Sequence, residues 1–482
     1  MNLAKAAQKP IIVWFRNDLR VRDNLALCAD ADAPVICVYI YDNKSQLRPL
    51  GGAQRWWLHH SLITLDKSLA ALGSRLVLRR GAAQAILSDL IAETDADSVV
   101  WNRRYDPAAI AVDTEIKSYL KTKGITVRSF DGQLLHEPTR IKTGGGTPFK
   151  VYTPFWRALN AGPEPREPIA APLKLNDGSA RLVSERLEDW NLLPTHPNWA
   201  GGMQNEWTPG ETGAHQRLET FLDGPVRGYA DDRNIPGQAS TSKLSPHLAF
   251  GEITPFQIWH ASRSVKDAPA RDVEVFRKEV AWREFAHHLL FFFPKLATKN
   301  FNVSFDAFPW GATDPVKLKA WQTGQTGYPI VDAGMRELWQ TGWMHNRVRM
   351  IVASFLIKHL MIDWREGERW FWDTLVDACP ANNAASWQWV AGSGADAAPY
   401  YRIFNPILQG EKFDPDGVYV KRYVPELANV PLNYLHHPWD APRDVLDAVG
   451  VRLGTHYPKP VVDHIVARDR ALDAYKETRG AA

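Results

Sequence analysis

Between residues 11 and 131, short β-rich runs alternate with stretches of helical apolar spacing. "IIVWF", "PVICVYIYD", "RLVLRRG", "SVVWN" and "ITVRSFD" read as strands, and residues 52–72, 82–94 and 108–122 read as helices. Such alternation restricts this part of the chain to a parallel α/β domain. No G-x-G-x-x-G follows the first strand. "FRNDLRVRDN" stands there instead, so the domain lacks the usual pyrophosphate turn of a dinucleotide site.

Residues 132–205 contain "TGGGTP" and the proline-rich "AGPEPREPIAAP", which break any long periodicity and read as an interdomain connection. From about residue 206 β-like alternation becomes scarce. "VEVFRKEVAWREFAHHLLFFF", "VDAGMRELWQTG" and "HNRVRMIVASFLIKHLMIDW" carry helical spacing instead. The expected organisation is therefore an α/β domain over 1–131, a connection over 132–205 and a helical domain over 206–482. The 57 basic and 54 acidic residues nearly balance, so any contact with nucleic acid has to come from a local cluster. Cys28, Cys37 and Cys379 are odd in number and lack the spacing of zinc sites or disulfides, which fits a reducing cytoplasm and no metal. "MNLAKAAQKP" has no apolar targeting region, and no run approaches the ~18 apolar residues of a membrane span. Twenty tryptophans are the compositional outlier. A tryptophan is best placed with its ring buried and its N–H paired, so an excess raises a functional question.

Four patterns can carry chemistry, and each has a purely structural reading beside it. In "STSKLSPHLAFG", serine before Pro246 suits a helix N-cap with proline in the first turn. The same start offers N–H groups, hydroxyls and Lys243 to an anion. Glu279, Trp282 and Arg283 of "EVAWREF" share one helical stripe, as would a surface ion pair beside a semi-buried ring. In "HNRVRM", Asn346 and Met350 share a stripe from which Arg349 is displaced by one residue, or the segment is a solvated basic turn. In "NNAASWQWVAG", Asn383 and Trp387 lie at i and i+4 on one face while Trp389 points elsewhere; aromatic core is the plain alternative.

Taken in chain order, "VWFRNDLRVRDN", "TSKLSP", "WREF", "TGYPIVDAGMREL", "GWMHNRVRM", "IDWREGERWFW", "WQWVAGSGADAAPYYRIFNP" and "GEKFDP" resemble the photolyase/cryptochrome family over essentially the whole chain. The resemblance implies an α/β, Rossmann-like antenna domain with a parallel sheet, joined by a long loop to an all-helical domain that holds FAD in a bent conformation. It places Tyr229, Thr241, Ser242, Lys243, Leu244 and Ser245 on the phosphate and ribityl side of the flavin, and Arg349 with Asp377 as an ion pair against the isoalloxazine. Asn383 is expected at flavin N5, where a neutral amide can both donate and accept. Plant cryptochromes carry aspartate there, so Asn383 points to repair. Cys379 stands where many relatives have a second aspartate, and is expected to alter flavin affinity or redox tuning.

The family's lesion pocket maps onto Glu279, Trp282, Asn346, Met350 and Trp389. Relatives that act on (6-4) photoproducts place histidines in the "HNRVRM" region; asparagine and methionine here point to a cyclobutane pyrimidine dimer. Ring faces would stack on the flipped bases and Glu279 would bond their edges. Arg233, Arg283 and Arg347 are the expected phosphate grips. Trp387, Trp364 and Trp310 match the family's photoreducing tryptophan chain, with Trp343 as a further relay. Pro107 of "WNRRYDPAA" stands near the place of a folate-holding glutamate in one bacterial branch, while "RRYDP" and "SWQW" resemble the class III branch, close to plant cryptochromes. The expected antenna is 5,10-methenyltetrahydrofolate bound elsewhere in the α/β domain, with 8-hydroxy-deazaflavin second. The implied activity is that of a deoxyribodipyrimidine photo-lyase, a cytoplasmic monomer using light and reduced FAD to split dimers in UV-damaged DNA. The alternatives are a cryptochrome-type signalling flavoprotein and a light-independent oxidoreductase. The first is disfavoured by Asn383, the lesion-pocket set and the chain's end soon after "VVDHIVARDRALDAYKETRG"; the second finds no substrate site in the resemblance.

Overall fold

The computed structural model describes residues 8–30, 32–398 and 401–480; the first seven residues and the Pro399–Tyr400 part of "ADAAPYYRIFNP" lie outside them. Strands β1 (Ile11–Phe15), β2 (Pro34–Tyr41), β3 (Leu76–Arg80), β4 (Ser98–Asn102) and β5 (Thr126–Phe130) form a parallel sheet in the order β3-β2-β1-β4-β5. Helices α1 (Gly52–Ala71), α2 (Ala83–Thr94) and α3 (Pro107–Thr122) stand within one residue of the boundaries read from the sequence. All five residues of β1 and of β4 are buried, as expected of a parallel sheet covered on both faces. Ile11, Val13 and Phe15 enter one core and Ile12 and Trp14 the other, which is the period-2 alternation of a strand. Pro107 begins α3, and the Asp106 side chain caps it by accepting from the Ala109 N–H at 2.9 Å.

Strand order reverses between β1 and β4, the place where open α/β sheets bind ligands outside their carboxyl ends. Here Arg16 fills that crevice. Its guanidinium lies 4.3 Å from the Trp14 ring centroid and donates to Asp113 at 3.1 Å and to the Asn102 carbonyl. The protein's own cation thus occupies the place that a dinucleotide would need.

The segment 132–205 is not the plain connection its prolines and glycines suggest. It contains α4 (Tyr152–Ala161), whose Phe155, Trp156 and Leu159 enter the helical domain's core, and β6 (Asn176–Asp177), which pairs with β2. Ten residues of helix are too few to survive as a periodic signal between breakers, and tertiary burial supplies what propensity does not. Among the described residues no strand follows β6. Helix α1 lies between the sheet and the helical domain. Trp57 donates to Glu252 at 2.9 Å, and Trp207, Phe250, Trp343 and Val376 share one core with Ile11, Val13 and Phe15. No described helix is long and apolar enough to cross a membrane.

Candidate active site

A cavity of about 590 Å³ opens in the helical domain. Four helices frame it: Ala270–Phe292, Asn346–Ser354, Trp364–Thr374 and Pro380–Ala391. Local sequence sets where these begin and end. The His345 side chain accepts from the Arg347 N–H at 3.2 Å and starts the second; Pro380 starts the fourth, and Gly392, at φ 90°, ends it. His345 does not line the cavity, so Asn346 and Met350 are the faces that "HNRVRM" presents there, together with Arg347 and Arg349. Burial drives the His345 pKa down to about 3, so its imidazole is neutral.

On the inner side Arg349 forks onto Asp377 at 3.1 and 2.7 Å, while its Nε donates to the Met344 carbonyl at 2.7 Å. Asn383 donates through Nδ2 to the Glu368 carbonyl at 3.0 Å and to Glu368 Oε1 at 2.8 Å. The sequence reading leaves this amide free to donate and accept; with both N–H groups committed, Oδ1 is what it has left for the cavity, as an acceptor. Tyr229, Ser242, Leu244, Ser245 and Cys379 also line the space. Cys379 Sγ lies 3.5 Å from His287 Nε2. Burial pushes the thiol up and the imidazole well down, so both stay neutral.

Three sequence expectations for this side are corrected. Ser245 is not the cap: Leu244 holds that position without a side-chain bond, and Ser245 Oγ instead accepts from Trp343 Nε1 at 3.2 Å. Lys243 does not enter the cavity. It adopts φ +50°, and its ammonium pairs with Glu206 at 2.7 Å, 5.0 Å from the Trp343 ring. A left-handed residue turns its side chain off the line that local spacing suggests. Thr241 is likewise absent from the lining.

On the mouth side Glu279 forms an ion pair with Arg233 at 2.6 Å. Burial raises its pKa, against the opposing pull of Arg233 and Arg347. Arg347 donates to Asn234 Oδ1 at 2.7 Å and lies 4.5 Å from the Phe413 ring. Trp282 stacks on Tyr152 with centroids 3.7 Å apart and planes 8° apart, leaving its other face to the cavity. Trp389, half-buried, fixes its indole by donating to the Asp396 carbonyl at 3.0 Å. Arg283, 10% exposed, donates to the Gln133 carbonyl at 2.8 Å and lines the cavity.

Trp387 is buried and lines the cavity, with Phe371 at 5.0 Å and Trp321 at 6.3 Å as ring neighbours. Trp364 is fully buried, its Nε1 donating to Asn300 at 3.0 Å, and half-buried Trp310 packs on Phe308 at 4.5 Å. One apolar cluster contains Trp387, Trp364 and Trp321, with Trp310 against it. Sequence reasoning missed Tyr152, Glu368 and Trp321. Glu368 had a signal, one turn after Trp364 in "IDWREGERWFW"; Tyr152 had none.

An N-terminal parallel sheet stands beside a helical domain that surrounds a deep cavity, and comparison with known proteins defines the group. Residues 276–477 match the model of the FAD-binding domain of DNA photolyase, and residues 11–173 match that of DNA photolyase. A deoxyribodipyrimidine photo-lyase of Agrobacterium fabrum is 59% identical over 97% of each chain, and cryptochrome-1 of Arabidopsis thaliana is 39% identical over 97% of this chain and 70% of its own. The structure superposes on that of a bacterial class III photolyase from Agrobacterium tumefaciens with a TM-score of 0.97, 58% identity and full coverage of both chains. The chain belongs to the photolyase/cryptochrome family.

Proposed function

We infer that this chain is a deoxyribodipyrimidine photo-lyase that repairs cyclobutane pyrimidine dimers in DNA with light. The observation that carries the reading is a single cavity with a polar, flavin-suited inner end and an aromatic mouth. Its apolar wall, including Leu244, Phe276 and Phe285, suits a flat ring system. The Arg349–Asp377 pair, the Asn383 oxygen and the Ser242 and Ser245 hydroxyls supply polar groups of the kind FAD needs. Bound there in its reduced form, FAD would supply the photoexcited electron that splits the dimer and then returns.

The residues position both partners. Tyr229, Ser242, Leu244 and Ser245 would hold the cofactor, with the Arg349–Asp377 pair and the Asn383 oxygen as the polar groups offered to its ring. Trp282 and Trp389 offer ring faces to the flipped bases, Glu279 bonds their edges, and Asn346 and Met350 complete the pocket. Arg233 and Arg347 meet the backbone phosphates. Trp387, Trp364 and Trp310 would serve as the electron path to a bound, oxidised FAD, with Trp343 as a side relay. The α/β domain takes a folate antenna outside the crevice that Arg16 fills, which purified protein would reveal as a near-ultraviolet chromophore separable from FAD. The protein acts as a monomer. Dimer-containing DNA incubated with and without blue light tests the reading: light-dependent loss of dimers is expected, and none in either condition would refute it.

A further inference from the structure

We propose that Arg48, in the α/β domain, is a positioning residue for the flavin site: by gripping Glu368 it fixes the Asn383 amide with its oxygen toward the cavity. The proposal rests on the reading above, in which FAD occupies the cavity with N5 at Asn383.

Arg48 lies between β2 and α1 and forks onto Glu368, Nη1 to Oε1 at 2.6 Å and Nη2 to Oε2 at 2.9 Å. Its guanidinium is stacked 4.0 Å from the Trp372 ring centroid. The stretch that carries it is fastened to the helical domain at three further points. Trp372 Nε1 donates to the Pro49 carbonyl at 2.9 Å, the Gly52 N–H to Asp373 at 2.8 Å, and Gln54 to the Ala378 carbonyl at 2.8 Å. A Cβ on Gly51 would lie 2.2 Å from the Trp372 carbonyl oxygen, so this close approach requires glycine. Arg48 is therefore held in place on a rigid seat, although its own side chain is 37% exposed.

Glu368 passes the constraint on. Its side chain is 6% exposed, and Oε1 accepts from both Arg48 and Asn383. The two acceptors that Asn383 meets, a carbonyl and a carboxylate of the same residue, can be satisfied only by its NH₂ group. That leaves Oδ1 to face the ligand and favours an N5 that carries a proton. Removing the cation would leave Glu368 without the two-point fork that fixes its carboxylate. A carboxylate free to swing takes Oε1 away from the Asn383 NH₂, and one of the two bonds that aim the amide is lost. The polarity met by the flavin ring is thus set from the neighbouring domain.

The test uses FAD-loaded full-length protein, partly reduced, with absorption spectra reporting how much of the flavin is protonated at N5. Arg48→Met should lower the protonated-to-unprotonated ratio at fixed pH at least tenfold, and Arg48→Lys should restore most of it. Glu368→Leu should shift the ratio the same way, and Arg48→Met should add nothing in its presence, because Arg48 acts only through Glu368. A parent-like ratio in Arg48→Met while Glu368→Leu shifts, or independent addition of the two, overturns the proposal. Should Arg48→Met fail to retain FAD, Arg48→Gln, which keeps one donor to Glu368, must shift in the same direction; a parent-like ratio there is equally fatal. If Asn383→Asp, Glu368→Leu and Arg48→Met all leave the spectrum unchanged, the placement of N5 at Asn383 is what fails.

Discussion

Glu279→Gln separates lesion recognition from cofactor binding. It preserves side-chain size and removes the charge that Arg233 holds at 2.6 Å. A hydrogen bond to a charged group is worth about 1.5–3 kcal/mol, which at 1.36 kcal/mol per decade corresponds to a roughly 10- to 150-fold loss of affinity for dimer-containing DNA. Affinity for undamaged DNA should hold or rise, because Arg233, released from its partner, becomes available to phosphates. The damaged-to-undamaged ratio therefore falls, while FAD content stays at the parent level. Competition binding at one fixed salt concentration measures the ratio, since the phosphate contribution varies with salt. The pH dependence gives a second reading. Burial raises the folded-state pKa of Glu279 above the ordinary 4.5. Recognition by its ionised form is then lost as pH falls through that raised value, so the parent's affinity should begin to drop above pH 4.5 and the variant's should not. Fold stability runs the other way: this group's contribution is complete below 4.5 and disappears as pH rises through the folded pKa. A ratio within twofold of the parent, or the same acid limb in both proteins, would refute Glu279 as the reader of the lesion.

Trp387→Phe should slow photoreduction of oxidised FAD at least tenfold yet leave dimer repair intact once the flavin is chemically reduced; transient absorption and a repair assay on the same samples decide it. Trp389→Ala should do the reverse, costing about 1–3 kcal/mol of damaged-DNA binding through lost stacking; if both variants lose the same property, the two rings do not have separate roles. Gly367→Ala should lower the thermal midpoint and weaken FAD retention. Its Cβ would lie 2.0 Å from Trp387 Cη2, and overpacking of about 1–3 kcal/mol outweighs the helix propensity gained. A midpoint at or above the parent's would show that the Trp387 ring has room to move.

What the sequence made legible is what one element determines alone. The β-rich runs locate the five strands of the sheet, and the helical readings fall within one residue of α1, α2 and α3. The i, i+2 spacing of Trp387 and Trp389 separates a buried ring from a half-buried one on the same helix. The family motifs carried many of the polar and aromatic lining residues, because each motif is short and keeps its own geometry. The misreadings arose where a distant partner or a turned backbone decides. Lys243 leaves the cavity at a left-handed residue and pairs with Glu206. Trp282 has one face covered by Tyr152, which sits on a helix that prolines and glycines concealed. Asn383 shows the same limit at a single atom. Its residue type allows it to donate and accept, but both of its N–H groups are spent on Glu368, which Arg48 holds from 320 positions away. Chemistry at such a site follows from the atoms left unbonded after folding, and those are set by contacts that no local pattern encodes.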